Sequence, residues 1–159
     1  MEDIERLANA ASRLKIRIAV AESLTSGLLA AKVGEGRDAA TWFAGAVVAY
    51  LTDVKEGVLG LEPGLDPCSP ASAEQLARGV RDLMRTDLAV ATTGVGGPGP
   101  ENGHEPGTVY LGWASPEGSG HRLLRLDGEP AEVLAGTVEA AVRMLADLAE
   151  RMPAAGRSS

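Results

Sequence analysis

Three short stretches hold the side chains best able to do chemistry. The first, Ala21-Glu22-Ser23-Leu24-Thr25-Ser26-Gly27, follows an alternating apolar run, Ile16 to Ala21, so Ser23 falls at a strand-to-helix turn. Free backbone N–H groups at a helix start favour developing negative charge, which suits a nucleophile. A serine hydroxyl is inert at neutral pH unless a base takes its proton, and a lysine does so when burial or a neighbour lowers its pKa. Only Lys15, Lys32 and Lys55 are lysines among the 15 basic residues, so arginine fills most basic positions and Lys55 is a candidate base. Tyr50, at the end of an apolar strand, could point into the same cleft and relay or orient a proton. Each also has a structural reading from position alone: Ser23 as a helix cap, Lys55 as a solvated side chain, Tyr50 as core or rim.

The third stretch, Thr92-Thr93-Gly94-Val95-Gly96-Gly97-Pro98-Gly99, runs from a strand straight into glycines. Their exposed N–H groups could cradle a phosphate or an oxyanion, or the glycines could serve loop geometry alone. The spacing G-x-G-x-x-G is present, but a dinucleotide fold requires it to open a helix, and here Pro100-Glu101-Asn102-Gly103 follows. There is no Gly-Lys-Ser/Thr of a P-loop either. His104 and His121 have no metal spacing, and the single Cys68 lacks a thiol partner and reads as structurally incidental. No cofactor and no metal are expected.

These residues need elements to position them. Ile4, Leu7, Ala8, Ala11 and Leu14 recur at helical spacing, and a strand around Ile16–Ala21 leads through the serine turn into a second helix ending at Gly34 and Gly36. After a Trp42–Phe43 patch, AGAVVAY has strand length and LTDVKEGVLGL reads as a short helix closing near Gly60. Ser69 and Pro70 pair as N-cap and first helical position, and the stripe Leu76, Val80, Leu83, Met84 carries that helix to Met84. DLAVATTG reads as a buried strand. GTVYLGWAS and HRLLRLDG make a hairpin about the turn PEGSG, and a last helix runs from Pro130 to Arg151. Helices alternating with strands predict a three-layer α/β/α sandwich around a mixed sheet, a single domain over 1–152, with 153–159 as a disordered tail.

A chain of 159 residues encloses one core comfortably. With 45% hydrophobic residues and mean hydropathy near zero, it reads as an ordinary globular protein. No uninterrupted apolar run reaches the roughly 18 residues of a membrane span, and the acidic, helix-spaced start does not resemble a signal peptide, so a cytoplasmic location is expected. The net charge of −7 and 3% aromatic content disfavour nucleic acid.

Taken together, AESLTSG, VVAYLTDVK with VLGL, and TTGVGGPG followed by PGTVY resemble the landmark segments of the CinA C-terminal, nicotinamide-nucleotide amidohydrolase family in order and spacing. The likeness spans about residues 4–150. It implies hydrolysis of the carboxamide of nicotinamide mononucleotide, releasing ammonia, in pyridine-nucleotide salvage. It places Ser23, Tyr50 and Lys55 at catalytic positions and Thr93 at a substrate or oxyanion contact. Thr25, Gly27, Gly94, Gly96 and Gly97 fall at substrate-binding positions. It also implies a homodimer, which agrees with an exposed Trp42–Phe43 patch.

The chain departs from the family pattern at several points. Leu24 and Ser26 replace a Cys and a Gly beside the serine, and Leu51 and Thr52 replace Ser and Asn before Lys55. Glu105-Pro106 and Glu129-Pro130 stand where a lysine and an arginine are usual. A silent nucleotide-binding domain, or an amidohydrolase for another carboxamide, are the alternatives these departures raise, with Arg37 or another arginine as a substitute phosphate partner.

Overall fold

The computed structural model describes residues 1–154, so the expected disordered tail lies from residue 155 onward outside the described residues. Strands β1 (Ile18–Glu22), β2 (Phe43–Val48), β3 (Leu88–Gly94), β4 (Thr108–Ser115) and β5 (Gly118–Arg125) form one mixed sheet in the order β2-β1-β3-β4-β5. β1 is parallel to β2 and to β3; β4 is antiparallel to β3 and to β5. Helices α1 (Asp3–Leu14), α2 (Leu28–Gly34), the short α3 (Ala39–Trp42) and α6 (Pro130–Arg151) cover one face, and α4 (Thr52–Leu59) and α5 (Pro70–Met84) the other. The architecture is the three-layer α/β/α sandwich.

The two faces are built differently, and the period of two along each strand decides it. In β1, Ile18 and Val20 point to the α1/α6 side while Ala19 and Ala21 point to the α5 side; in β3, Leu88 and Val90 face one way and Ala89 and Ala91 the other. Branched side chains thus fill one core, and the methyl-lined face lets α5 settle close onto the sheet. Backbone meets backbone there: a Cβ added at Gly112 of β4 would lie 2.0 Å from the Ala73 carbonyl oxygen, and one at Gly79 of α5 would lie 1.9 Å from that of Leu59, at the end of α4.

Local signals set the helix ends. The Ser69 side chain accepts a 3.2 Å hydrogen bond from the Ser72 N–H with Pro70 in the first turn, and at α6 the Glu132 carboxylate accepts from the Glu129 N–H at 2.9 Å ahead of Pro130. Two expectations need correction. The hairpin turn is tighter than PEGSG, because Gly118 already pairs with Ser115. Trp42 is 2% exposed, packed in the α1/α6 core with its indole N–H donating to the Arg37 carbonyl, so no exposed Trp42–Phe43 patch exists.

Candidate active site

The serine turn is organised by a carboxylate. Glu22 ends β1, fully flanked by neighbouring strands, and its side chain turns inward rather than to water, with only 2% exposed. Oε1 accepts from the N–H groups of Gly27 (3.1 Å) and Leu29 (2.9 Å), and Oε2 from Ala30 (2.9 Å). A buried carboxylate is tolerable only when so satisfied. This corrects the expectation drawn for Ser23: α2 begins five residues later, at Leu28, and its first amides serve Glu22, not the serine. Beneath the turn, Thr92 Oγ1 lies 2.9 Å from Thr25 Oγ1 and 3.5 Å from the Ser23 nitrogen.

Ser23, itself buried, opens onto a cavity of about 620 Å³, within the range of small-molecule sites. Lys55 lines the same cavity although only 5% of it is exposed, and the two residues also lie in one cluster with Glu22 and Thr92. Burial pushes the Lys55 amine below its ordinary value, and the negative charge of Glu101 partly offsets that fall. Among the described residues no hydrogen bond joins Lys55 to Ser23, so the pair is side by side rather than preassembled.

The opposite wall is the glycine loop, with Gly94, Gly96 and Gly97 lining the cavity after β3. The loop does not open a helix and includes a cis Gly97–Pro98 bond. It is tied to the segment before α5 at two places. Thr93 Oγ1 donates to the Pro67 carbonyl at 2.6 Å, and His104 Nε2 lies 2.7 Å from Asp66 Oδ2. Burial alone would raise the Asp66 carboxyl, but His104 and the Cys68 N–H hold it below its usual range. Glu101 and His104 exchange backbone hydrogen bonds of 3.0 and 2.8 Å, closing a turn that sets Glu101 in the cavity wall.

The expected site residues are thus only partly assembled. Ser23, Lys55, Thr93, Gly94, Gly96 and Gly97 meet at one cavity. Tyr50 lies at its rim, 61% exposed, and its hydroxyl pairs with Ser26 Oγ rather than with Ser23 or Lys55. Thr25 is fully buried and Gly27 caps against Glu22; neither lines the cavity. Cys68, read as incidental, does line it, near Lys55, with burial raising its thiol to about 11. Of the positions with lost cations, Pro130 reaches the wall, whereas Glu105 and Glu129 do not. Arg37 is no substitute, because it pairs with Asn9 at a separate hollow. Glu22, Thr92 and Glu101 were missed; the only signal for Glu22 was a carboxylate closing an otherwise apolar strand. Among the described residues no group of three or more His, Cys, Asp or Glu could hold a metal ion, and no helix is long and apolar enough to cross a membrane.

Comparison with known proteins agrees with this layout. The model of the CinA C-terminal domain matches residues 2–149. A CinA-like protein of Frankia casuarinae is 38% identical over 139 residues, 82% of this chain and 32% of that protein. The chain spans about a third of the length of the curated relatives it matches. Among solved structures, a competence-damaged protein (CinA) superfamily protein from Klebsiella pneumoniae superposes with TM-score 0.89 at 28% identity, covering 94% of this chain and 97% of the other. The competence/damage inducible protein CihA from Agrobacterium tumefaciens superposes with TM-score 0.84 at 30% identity, covering 93% and 96%.

Proposed function

We propose that this chain, which belongs to the CinA C-terminal domain family, is an amidohydrolase that converts nicotinamide mononucleotide to nicotinate mononucleotide and ammonia. The observation that carries this reading is a buried lysine, its amine pushed toward the neutral form, beside a serine at the mouth of a nucleotide-sized cavity. Neutral Lys55 takes the proton of Ser23 as Oγ adds to the carboxamide carbon. The same proton then goes to the departing nitrogen, leaving ammonia and a serine ester. Water adds to the ester, gives a proton to Lys55, and Ser23 leaves with that proton while the product carboxylate forms. Because Glu22 occupies the amides of Gly27, Leu29 and Ala30, the oxyanion falls to main-chain N–H groups of cavity-lining residues, in the glycine loop or at Leu24. Tyr50 acts from the rim, through Ser26, rather than in the proton path.

A second reading is favoured by one feature: among the described residues Lys55 is the only cation lining the cavity, and a phosphate monoester carries nearly two negative charges. An amidohydrolase for an unphosphorylated carboxamide accommodates that wall better. Ammonia release from nicotinamide mononucleotide, its riboside and unrelated carboxamides tests both. Fastest release from the mononucleotide supports the first reading, and fastest release from the riboside the second. Binding with no ammonia from any of them refutes the amidohydrolase and points to a silent nucleotide-binding domain.

A further inference from the structure

Among the described residues, the lining of the cavity carries two groups that are charged near neutral pH in their ordinary state, of opposite sign, Lys55 and Glu101. In the working form of the mechanism above, on which this inference rests, Lys55 is neutral. The wall then holds a single charge, the carboxylate of Glu101. Its place is fixed by main chain, through the two hydrogen bonds between Glu101 and His104, and that turn is moored to the far wall by the His104–Asp66 contact. Glu101 is close enough to Lys55 for the two charges to act on one another, so a ring bonded to a carboxamide between Ser23 and Lys55 falls within the same reach.

We propose that Glu101 is a specificity-determining residue that selects carboxamides borne on a cationic ring, a quaternised pyridine, over those on a neutral ring. The attraction also opposes the repulsion that a carboxylate exerts on any phosphate in the same cavity, so the residue favours substrates by ring charge and disfavours them by phosphate charge. Because Glu101 is exposed, water screens it, and the preference is about tenfold rather than thousandfold.

The test compares two mononucleotides differing only in ring charge, the pyridinium form and its 1,4-dihydro form, by calorimetric binding and by ammonia release. Binding of the pyridinium form is expected to be about tenfold tighter in the wild type. Glu101→Gln should bring the two affinities to within about twofold, and Glu101→Lys should invert their order. Both variants keep the backbone hydrogen bonds to His104. Losing the Glu101 charge also pushes Lys55 further toward its neutral form, which relieves repulsion of the cationic ring alone, so that shift opposes the expected loss of preference and cannot produce it. Equal wild-type affinities, no binding of either nucleotide, or a preference surviving in Glu101→Gln would overturn the proposal. Ammonia release without ring-charge discrimination sinks this proposal alone, whereas discrimination in binding without ammonia sinks the amidohydrolase reading alone.

Discussion

Replacing Gly79 by Ala should slow catalysis far more than it unfolds the protein. Gly79 lies in the middle of α5, and a methyl there would sit 1.9 Å from the Leu59 carbonyl oxygen, so α4 must retreat by about 1.1 Å before the contact reaches 3.0 Å. Lys55 is one turn upstream on that short helix, and its carbonyl accepts from the Leu61 N–H at 3.1 Å, so base and carbonyl move together. Alanine gains about 0.8–1 kcal/mol of helix propensity, while overpacking costs typically about 1–3 kcal/mol. The clash is with backbone, which cannot swing aside, so the cost falls at the upper end of that range and the net loss of stability is about 2 kcal/mol. A displacement of about 1 Å between base and nucleophile costs on the order of a hundredfold in rate. Urea denaturation and kcat for ammonia release measure the two quantities. Gly57→Ala is the control: it lies on α4 itself, with nothing within 4 Å of the added methyl, and should be neutral or stabilising with kcat unchanged. A wild-type kcat in Gly79→Ala, or an equal fall in Gly57→Ala, would refute the idea that backbone contact between α4 and α5 places Lys55.

Lys55→Arg should abolish turnover while affinity changes little, because guanidinium stays protonated at any working pH; near-normal turnover excludes Lys55 as base. Burial lowers the folded amine below its ordinary value of 10.5, so the unfolded chain binds that proton more readily and Lys55 costs stability at neutral pH. Lys55→Met should therefore be more stable than wild type near pH 7 and lose that advantage as pH rises through about 10.5 in pH-dependent melts; an advantage independent of pH would contradict this. Pro130 is at the cavity wall and first in α6, so Pro130→Arg with Glu129→Asp keeps a good cap and should tighten the mononucleotide, but not its riboside, by roughly tenfold to a hundredfold. Equal effects on both ligands in a calorimetric titration would place the phosphate elsewhere. A homodimer is proposed, with exposed Val48, Leu51 and Val58 around the β2 edge as its apolar surface in place of the buried Trp42; a mass measurement finding only the 16.3 kDa species at working concentration would exclude it.

Elements whose ends carry local chemistry were legible in the sequence. Ser69-Pro70 and Pro130 mark helix starts within a few bonds of themselves, and Gly60 closes α4 in the left-handed conformation its position suggests. The buried α1/α6 face was equally readable, since Ile4, Leu7 and Leu14 need only a period to be found. What failed depends on direction rather than spacing. Trp42 begins and Tyr50 ends the same apolar stretch, yet one turns into the core and the other to the rim, and no periodicity over so few residues distinguishes them. Cys68 and Glu101 enter the site from two loops whose paths are set by contacts between them that are distant in sequence, Thr93 with Pro67 and His104 with Asp66. Ser23 and Lys55 came together because each closes or follows a central or neighbouring strand, which is where parallel sheets gather side chains.

The Glu22 clamp bears on how this turn can change over generations. Its carboxylate grips the amides of residues 27, 29 and 30. Every such contact is to main chain, so it pins the two ends of the turn whatever side chains lie between them; those side chains carry constraints of their own, with Leu24 in the core, Thr25 bonded to Thr92 and Ser26 at a φ of 53°. Leu24 and Ser26, where the sequence drifts from its relatives' pattern, both lie inside that span. An exchange at Leu24 must refill the same core space and one at Ser26 must tolerate left-handed backbone, whereas the exchange of Glu22 for another residue would release the whole loop at once. The turn therefore varies within limits: its ends are held by one carboxylate that does not line the cavity, and its interior by packing and backbone conformation.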